Sequence, residues 1–144
     1  MSQQDLKIMF QKAVVIAIAM IMTSLLFSAV IYYLLTLQGN SEIQVAGAQK
    51  LGMMNWASAF SLILASLVIK NIVLKKSSDN MLNRLMTATI ITLALCEGVV
   101  LLGSCIAFIT RDVQNLYVAF VCSFFGFAFH FPRLNDWERK ISEA

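Results

Sequence analysis

Four long apolar segments constrain the fold of this chain more than any other feature. They cover residues 13–37, 54–74, 86–109 and 115–131 of the 144 residues. A helix needs about 17–25 largely apolar residues to cross a bilayer. The composition agrees, because 59% of the residues are hydrophobic and only 13% are charged; soluble domains have about 45–50% and about 25%. We therefore predict an all-α, polytopic membrane protein with one domain, an antiparallel bundle of four transmembrane helices in contact with the lipid bilayer. Residues 134–144 are expected to form a short interfacial tail.

The distribution of basic residues predicts how the chain is oriented. Nine of the eleven Lys and Arg residues flank the predicted helices on one side, and only Lys50 and Arg111 lie on the other. The nine are Lys7, Lys12, Lys70, Lys75, Lys76, Arg84, Arg133, Arg139 and Lys140. Basic residues accumulate in cytoplasmic loops, so both termini are expected to be cytoplasmic. The net charge of +3 is then a topology signal, and no nucleic-acid partner is predicted.

The sequence lacks the residue patterns that most enzymes use. Cys96, Cys105 and Cys122 lie inside apolar segments without metal-ligand spacing, and we expect them to pack as small side chains. There is no Ser/His/Asp set, no acidic pair for a metal and no glycine-rich phosphate loop. We therefore expect a protein that is not an enzyme and has no metal or cofactor. A membrane enzyme acting on lipids or quinones has little support.

Glu97 is the residue most indicative of function. It lies in the middle of the third apolar segment, with no basic residue within a helical turn. An acidic residue at the centre of a membrane helix costs roughly 2.5–3.5 kcal/mol on insertion scales. Such residues usually serve function or are held by hydrogen bonds.

Hydroxyl groups on the other helices are expected at the depth of Glu97. Glu97 lies about 15 Å from the inner end of its helix at a rise of about 1.5 Å per residue. The same depth is reached near Thr23 and Ser24, Ser61 and Ser123. We predict that these four residues and Glu97 form a site for a proton or a cation. We expect His130, nearer the inner interface, to act as a hydrogen-bonding residue.

Small residues predict where helices approach closely. Gly98, Gly103 and Gly126 each belong to small-residue pairs spaced by four, a spacing that permits close contact between membrane helices. We predict that all three are helix-packing positions.

Part of the sequence resembles the rotor proteolipids, or subunit c, of rotary ATPases. Ala94-Leu95-Cys96-Glu97 with Gly103 six residues after the glutamate is similar to their carboxylate helix, and the basic residues Lys75 and Lys76 match their polar loop. The resemblance implies that Glu97 binds and releases H⁺ or Na⁺ at the surface of a ring. Two features depart from the rotor pattern: residues 54–74 contain no glycine, and the carboxylate is on the third helix.

The full length resembles small uncharacterised bacterial four-helix membrane proteins more closely. These also have Ala-Leu-x-Glu with a trailing glycine, and they end with a sequence similar to Phe131-Pro132-Arg133. This resemblance implies a location in the bacterial inner membrane.

Two functional classes follow. In the first, the protein is an oligomeric membrane subunit whose Glu97 binds or responds to protons or cations. In the second, it is a non-catalytic structural or accessory subunit of a larger membrane complex, and Glu97 holds helices together by hydrogen bonds. No continuous polar path is visible along the four apolar segments, so an occluded site is favoured over an open channel.

Overall fold

A computed structural model of the chain describes residues 3–37, 47–75 and 80–142, and nearly all of these are helical. Within these ranges the helices are α1 (Gln3–Leu37), α2 (Ala48–Lys75), α3 (Met81–Thr110), α4 (Val113–His130) and α5 (Leu134–Ser142). The first four are long and apolar enough to cross a membrane. The predicted all-α membrane bundle is thus confirmed. Residues 38–46, between α1 and α2, and residues 76–79, between α2 and α3, lie outside the described residues.

The helices differ from the predicted segments mainly at their ends. α1 begins at Gln3 instead of residue 13, because the polar turns that carry Lys7 and Lys12 continue the helix into the interfacial region. α4 ends at His130, since Pro132 restricts Phe131 to an extended conformation with φ −56° and ψ 130°.

The connection between α3 and α4 is a tight turn. Arg111 closes α3 in the left-handed conformation with φ 54°, which ends the helix and reverses the chain. Asp112 then caps α4, because its side chain accepts a hydrogen bond of 2.9 Å from the Gln114 amide. Two residues therefore join α3 and α4, which gives the expected antiparallel hairpin.

α3 is the central helix of the bundle. It packs against α1, α2 and α4, and α4 also contacts both α1 and α2. Small buried clusters join these helices at successive depths. They contain Ala17, Leu93, Cys96 and Phe127 at one level, Ala59, Val99 and Ala119 at another, and Leu35, Ala107 and Leu116 near the far end.

Two glycines are essential to this packing. A Cβ at Gly103 would collide with Ala119 of α4 and lie 3.2 Å from the Asn55 side chain of α2. A Cβ at Gly126 would lie 2.7 Å from the Cys96 sulfur of α3. Both therefore stand where helices cross closely, as predicted.

Gly98 has no packing partner within its own bundle among the described residues. A Cβ at this position would meet no atom within 4 Å. The reason is rotational: Gly98 lies beside the exposed residues Ala94 and Leu101 of α3, whereas Gly103 faces α2 and α4. Its spacing from Ala94 thus marks an outer face of the bundle.

The basic residues of the described chain separate between the two ends of the bundle. The start of α1, the end of α2, the start of α3 and α5 meet in one cluster built around Leu6, Leu82 and Trp137. The elements at this end carry eight of the nine basic residues assigned to the inner side, and Lys76 lies outside the described residues. Lys50 and Arg111 are at the opposite end. Which end faces the cytoplasm stays a prediction.

Candidate functional site

Glu97 lies at the border between the buried and the exposed face of α3. Leu93 and Val100, one turn away on one side, are buried, whereas Ala94 and Leu101 on the other side are exposed. Residues three and four positions apart share a helix face, so the half-buried Glu97 stands at the edge of the outer surface. Its carboxylate is in a position to meet a group that comes from outside the bundle.

No hydrogen bond or ion pair reaches the Glu97 carboxylate from any residue that the structure describes. Of the four hydroxyl residues expected around it, Thr23 and Ser61 are exposed. The Thr23 hydroxyl donates a hydrogen bond of 2.9 Å to the Ala19 carbonyl of its own helix. These two residues are therefore not partners of Glu97.

Ser24 and Ser123 come together in a cavity that Glu97 does not line. Both line a small cavity of about 10 Å³ among α1, α3 and α4, which is also lined by Val100. The Ser123 hydroxyl donates a hydrogen bond of 2.7 Å to the Cys96 carbonyl, and the buried Ser24 hydroxyl has no partner among the described residues. Neither hydroxyl bonds to Glu97, and the ion site expected from these residues stays a prediction.

The outer surface beside Glu97 combines small residues with the exposed side chain of Leu101. Gly98 is half-buried with open space around it, Ala94 is exposed, and Cys105 continues the same face toward the far end of α3. Small residues on a membrane helix let a second helix approach closely. This face could therefore accept a helix of another subunit next to the carboxylate.

A buried polar cluster on the far half of the bundle was not predicted from the sequence. The Asn55 side chain of α2 is 1% exposed and donates a hydrogen bond of 2.9 Å to the Asn115 carbonyl of α4. The Asn115 side chain donates to the Thr110 hydroxyl at 3.2 Å and to the Asp112 carboxylate at 3.3 Å. The cluster joins α2 to the α3–α4 turn and explains the close approach at Gly103. The available signal for this cluster was Asn55, a strongly polar residue near the start of the apolar segment 54–74.

His130 is a hydrogen-bonding residue, as predicted, and is almost completely buried at 3% exposure. Its Nε2 atom lies 2.8 Å from the Ser66 hydroxyl of α2. Ser66 therefore lies with His130 toward the basic end of the bundle. His130 and Glu97 are parts of separate regions.

Together these features define the class of the molecule as a four-helix bundle of the membrane type with a mid-span carboxylate at its outer edge. Comparison of the chain with protein-family models, curated proteins and solved structures finds no match. The functional argument therefore depends on the residues themselves. In the described part of the chain, no group of three or more His, Cys, Asp or Glu residues could hold a metal ion.

Proposed function

We propose that this protein is an oligomeric membrane subunit in which Glu97 binds, or responds to, protons or cations where α3 meets a neighbouring subunit. The observation that carries the proposal is a carboxylate in the middle of a spanning helix without a partner in the described part of its own bundle. In the bilayer such a group costs several kcal/mol unless a proton, a cation or a polar partner joins it. A site that is completed from outside meets this requirement.

The packing of α3 supports a neighbouring subunit at this face. Ala94 and Gly98 leave room next to Glu97 on a face that also carries the exposed Leu101, and close helix contact there would shield the carboxylate from lipid. Shielding matters, because electrostatic interactions with a bound ion are stronger in a region of low dielectric constant. This arrangement agrees with the ring-surface role that the rotor-proteolipid resemblance implies.

The alternative role, in which Glu97 holds the helices of its own bundle together, has less support. That role needs a donor, and the hydroxyls nearest in depth are exposed, directed elsewhere or without a bond to Glu97.

We further propose that the basic end faces the cytoplasm of a bacterial inner membrane, since basic residues accumulate on that side.

Carbodiimide labelling tests the ion-binding role. Dicyclohexylcarbodiimide reacts with protonated carboxyls in apolar surroundings, and peptide mass spectrometry locates the modified residue. We expect the protein in lipid bilayers to be modified at Glu97, and we expect added Na⁺ or a rise in pH to slow the reaction. Occupancy of the carboxylate by a cation, or loss of its proton, removes the reactive form.

Two controls make the labelling decisive. Glu138 is exposed on α5 and should stay unmodified in the same sample, and the Glu97→Gln protein should take up no reagent. If Glu97 never reacts, or reacts at a rate that neither pH nor any cation changes, the proposal is wrong.

A further inference from the structure

A recess at the basic end of the bundle has no part in the Glu97 site. It has a volume of about 220 Å³ and lies where the ends of α2 and α4 meet the start of α3 and the helix α5. On the scale of liquid water, at about 30 Å³ per molecule, it would hold about seven molecules. A small polar headgroup therefore fits inside it.

Four basic side chains line this recess. Lys70 comes from α2, Arg133 from the turn before α5, and Arg139 and Lys140 from α5 itself. Asp136 is the one acidic residue among the lining residues, and its carboxylate lies 3.4 Å from Arg139. In the described ranges, no ion pair compensates Lys70, Arg133 or Lys140. The recess therefore has a strong excess of positive charge.

The chain is folded so that these cations face one another. Pro132 is buried and ends α4, and α5 then lies across the end of the bundle. Trp137, 4% exposed, anchors α5 by packing against Leu6 and Leu82, and its ring meets that of Phe10 edge-on at 5.7 Å. The charges of Lys140, Asp136 and Arg133 consequently all act on Lys70, which lies about seventy positions from Lys140 in the sequence. The Asp136 carboxylate offsets part of the repulsion among the cations, and a bound anion would offset more of it.

His130 gives the wall of the recess a hydrogen-bonding group. The Ser66 hydroxyl has one proton for two neighbours, the Ile63 carbonyl at 2.6 Å and the His130 Nε2 atom at 2.8 Å. The Nδ1 atom of the same ring is buried without a partner among the described residues.

We propose that the recess binds the phosphate of an anionic glycerophospholipid, such as phosphatidylglycerol, from the leaflet at the basic end. Basic residues at a helix end are expected wherever the positive-inside rule acts, but that rule does not require a cavity. Here cations from two helices and a turn face one volume with apolar walls formed by Leu74, Leu85 and Phe131. Basic pockets between membrane helices bind phosphorylated headgroups in this way, and Arg side chains match phosphate geometry. The acyl chains can remain in the bilayer, because the recess lies at the membrane surface.

Native mass spectrometry of the full chain in a non-ionic detergent tests this site. Phosphatidylglycerol, phosphatidylcholine or inorganic phosphate is added, and retention is measured for the wild type, Lys70→Gln/Lys140→Gln and Lys7→Gln/Lys12→Gln. The last variant is matched, because it removes the same charge at the same end from exposed residues outside the recess. We expect the wild type to retain one phosphatidylglycerol molecule in preference to phosphatidylcholine. Removing the two lysines of the recess should weaken this binding by about 30-fold, since each basic residue near an anionic surface contributes roughly a factor of five.

The matched variant should bind phosphatidylglycerol nearly as well as the wild type. An equal loss in both variants would show a general charge effect and would overturn the proposal, as would equal retention of phosphatidylcholine. Strong retention of inorganic phosphate that displaces the lipid would assign the recess to a free anion instead. If Lys70→Gln/Lys140→Gln fails to fold, Arg133→Gln/Lys140→Gln gives the same test, because Arg133 is exposed. Unchanged affinity in a folded variant would contradict the site.

Discussion

Asn55 and Glu97 are both strongly polar residues within apolar spanning helices, yet the bundle surrounds them differently. Asn55 is fully buried, and its side-chain amide donates a hydrogen bond of 2.9 Å to the Asn115 carbonyl of a neighbouring helix. Glu97 is half-buried, and no described residue bonds to it. The Asn55 amide nitrogen is thus paired within the bundle, whereas the Asn55 Oδ1 atom is buried without a partner among the described residues. Glu97 has no such partner among the described residues, and the proposed role toward a neighbouring subunit uses this difference.

The largest effect on stability is expected when a large side chain is placed at Gly103, next to Asn55. Gly103→Leu should lower the free energy of unfolding by about 3 kcal/mol or more, because overpacking typically costs 1–3 kcal/mol and the added Cβ alone collides with Ala119. Thermal unfolding in detergent and the yield of folded protein measure the loss. Gly98→Leu is the matched control, since no atom lies within 4 Å of a Cβ there. Equal melting temperatures for the two variants would show that α3 and α4 are packed differently.

The second-largest effect is expected when the hydrogen bond from Asn55 to the Asn115 carbonyl is removed. Asn55→Ala should cost about 1–3 kcal/mol, because it leaves the buried Asn115 carbonyl without its donor. Unfolding in a denaturing detergent measures the difference. Asn71→Ala on the exposed side of the same helix should stay within about 0.5 kcal/mol of the wild type. If Asn55→Ala were as stable as the control, the Asn55 hydrogen bond would not stabilise the fold, and Asn55 would not differ from Glu97 in this respect.

A much smaller effect is expected at Glu97. Glu97→Gln should change the stability of the isolated subunit by less than about 0.5 kcal/mol, because the substitution breaks no bond among the described residues. The same unfolding assay, run on dissociated subunits, tests this. A loss as large as that of Asn55→Ala would mean that the carboxylate is paired within its own bundle, as the structural alternative requires.

The sequence was sufficient for the four spans and the antiparallel bundle, because hydropathy acts locally along each helix. It also gave the depth of Ser123, whose hydroxyl bonds to the Cys96 carbonyl next to Glu97. It did not give the direction of side chains around each helix, which depends on how helices rotate against one another. For that reason Gly98 was expected to pack like Gly103, and Thr23 was placed at the site although it is exposed.

The basic recess could not be predicted from the sequence, for a different reason. Lys70 and Lys140 lie on separate helices far apart in the sequence, and each alone looks like an ordinary interfacial lysine. They meet because Trp137 fixes α5 against the end of the bundle. The proximity of residues this far apart in the sequence depends on tertiary packing, and no local sequence pattern predicts it.

Assembly of the Gly98→Leu variant tests most directly whether the outer face beside Glu97 is completed by a neighbouring subunit. The mass of the particle extracted in native lipid is measured for the wild type and for Gly98→Leu, with helix content and subunit melting temperature as controls. We predict that the wild type contains more than one subunit, and that Gly98→Leu shifts toward single subunits while each subunit stays folded, because the leucine blocks close helix contact without disturbing its own bundle. A wild type that is a single chain, or a Gly98→Leu particle with unchanged mass, would contradict the account.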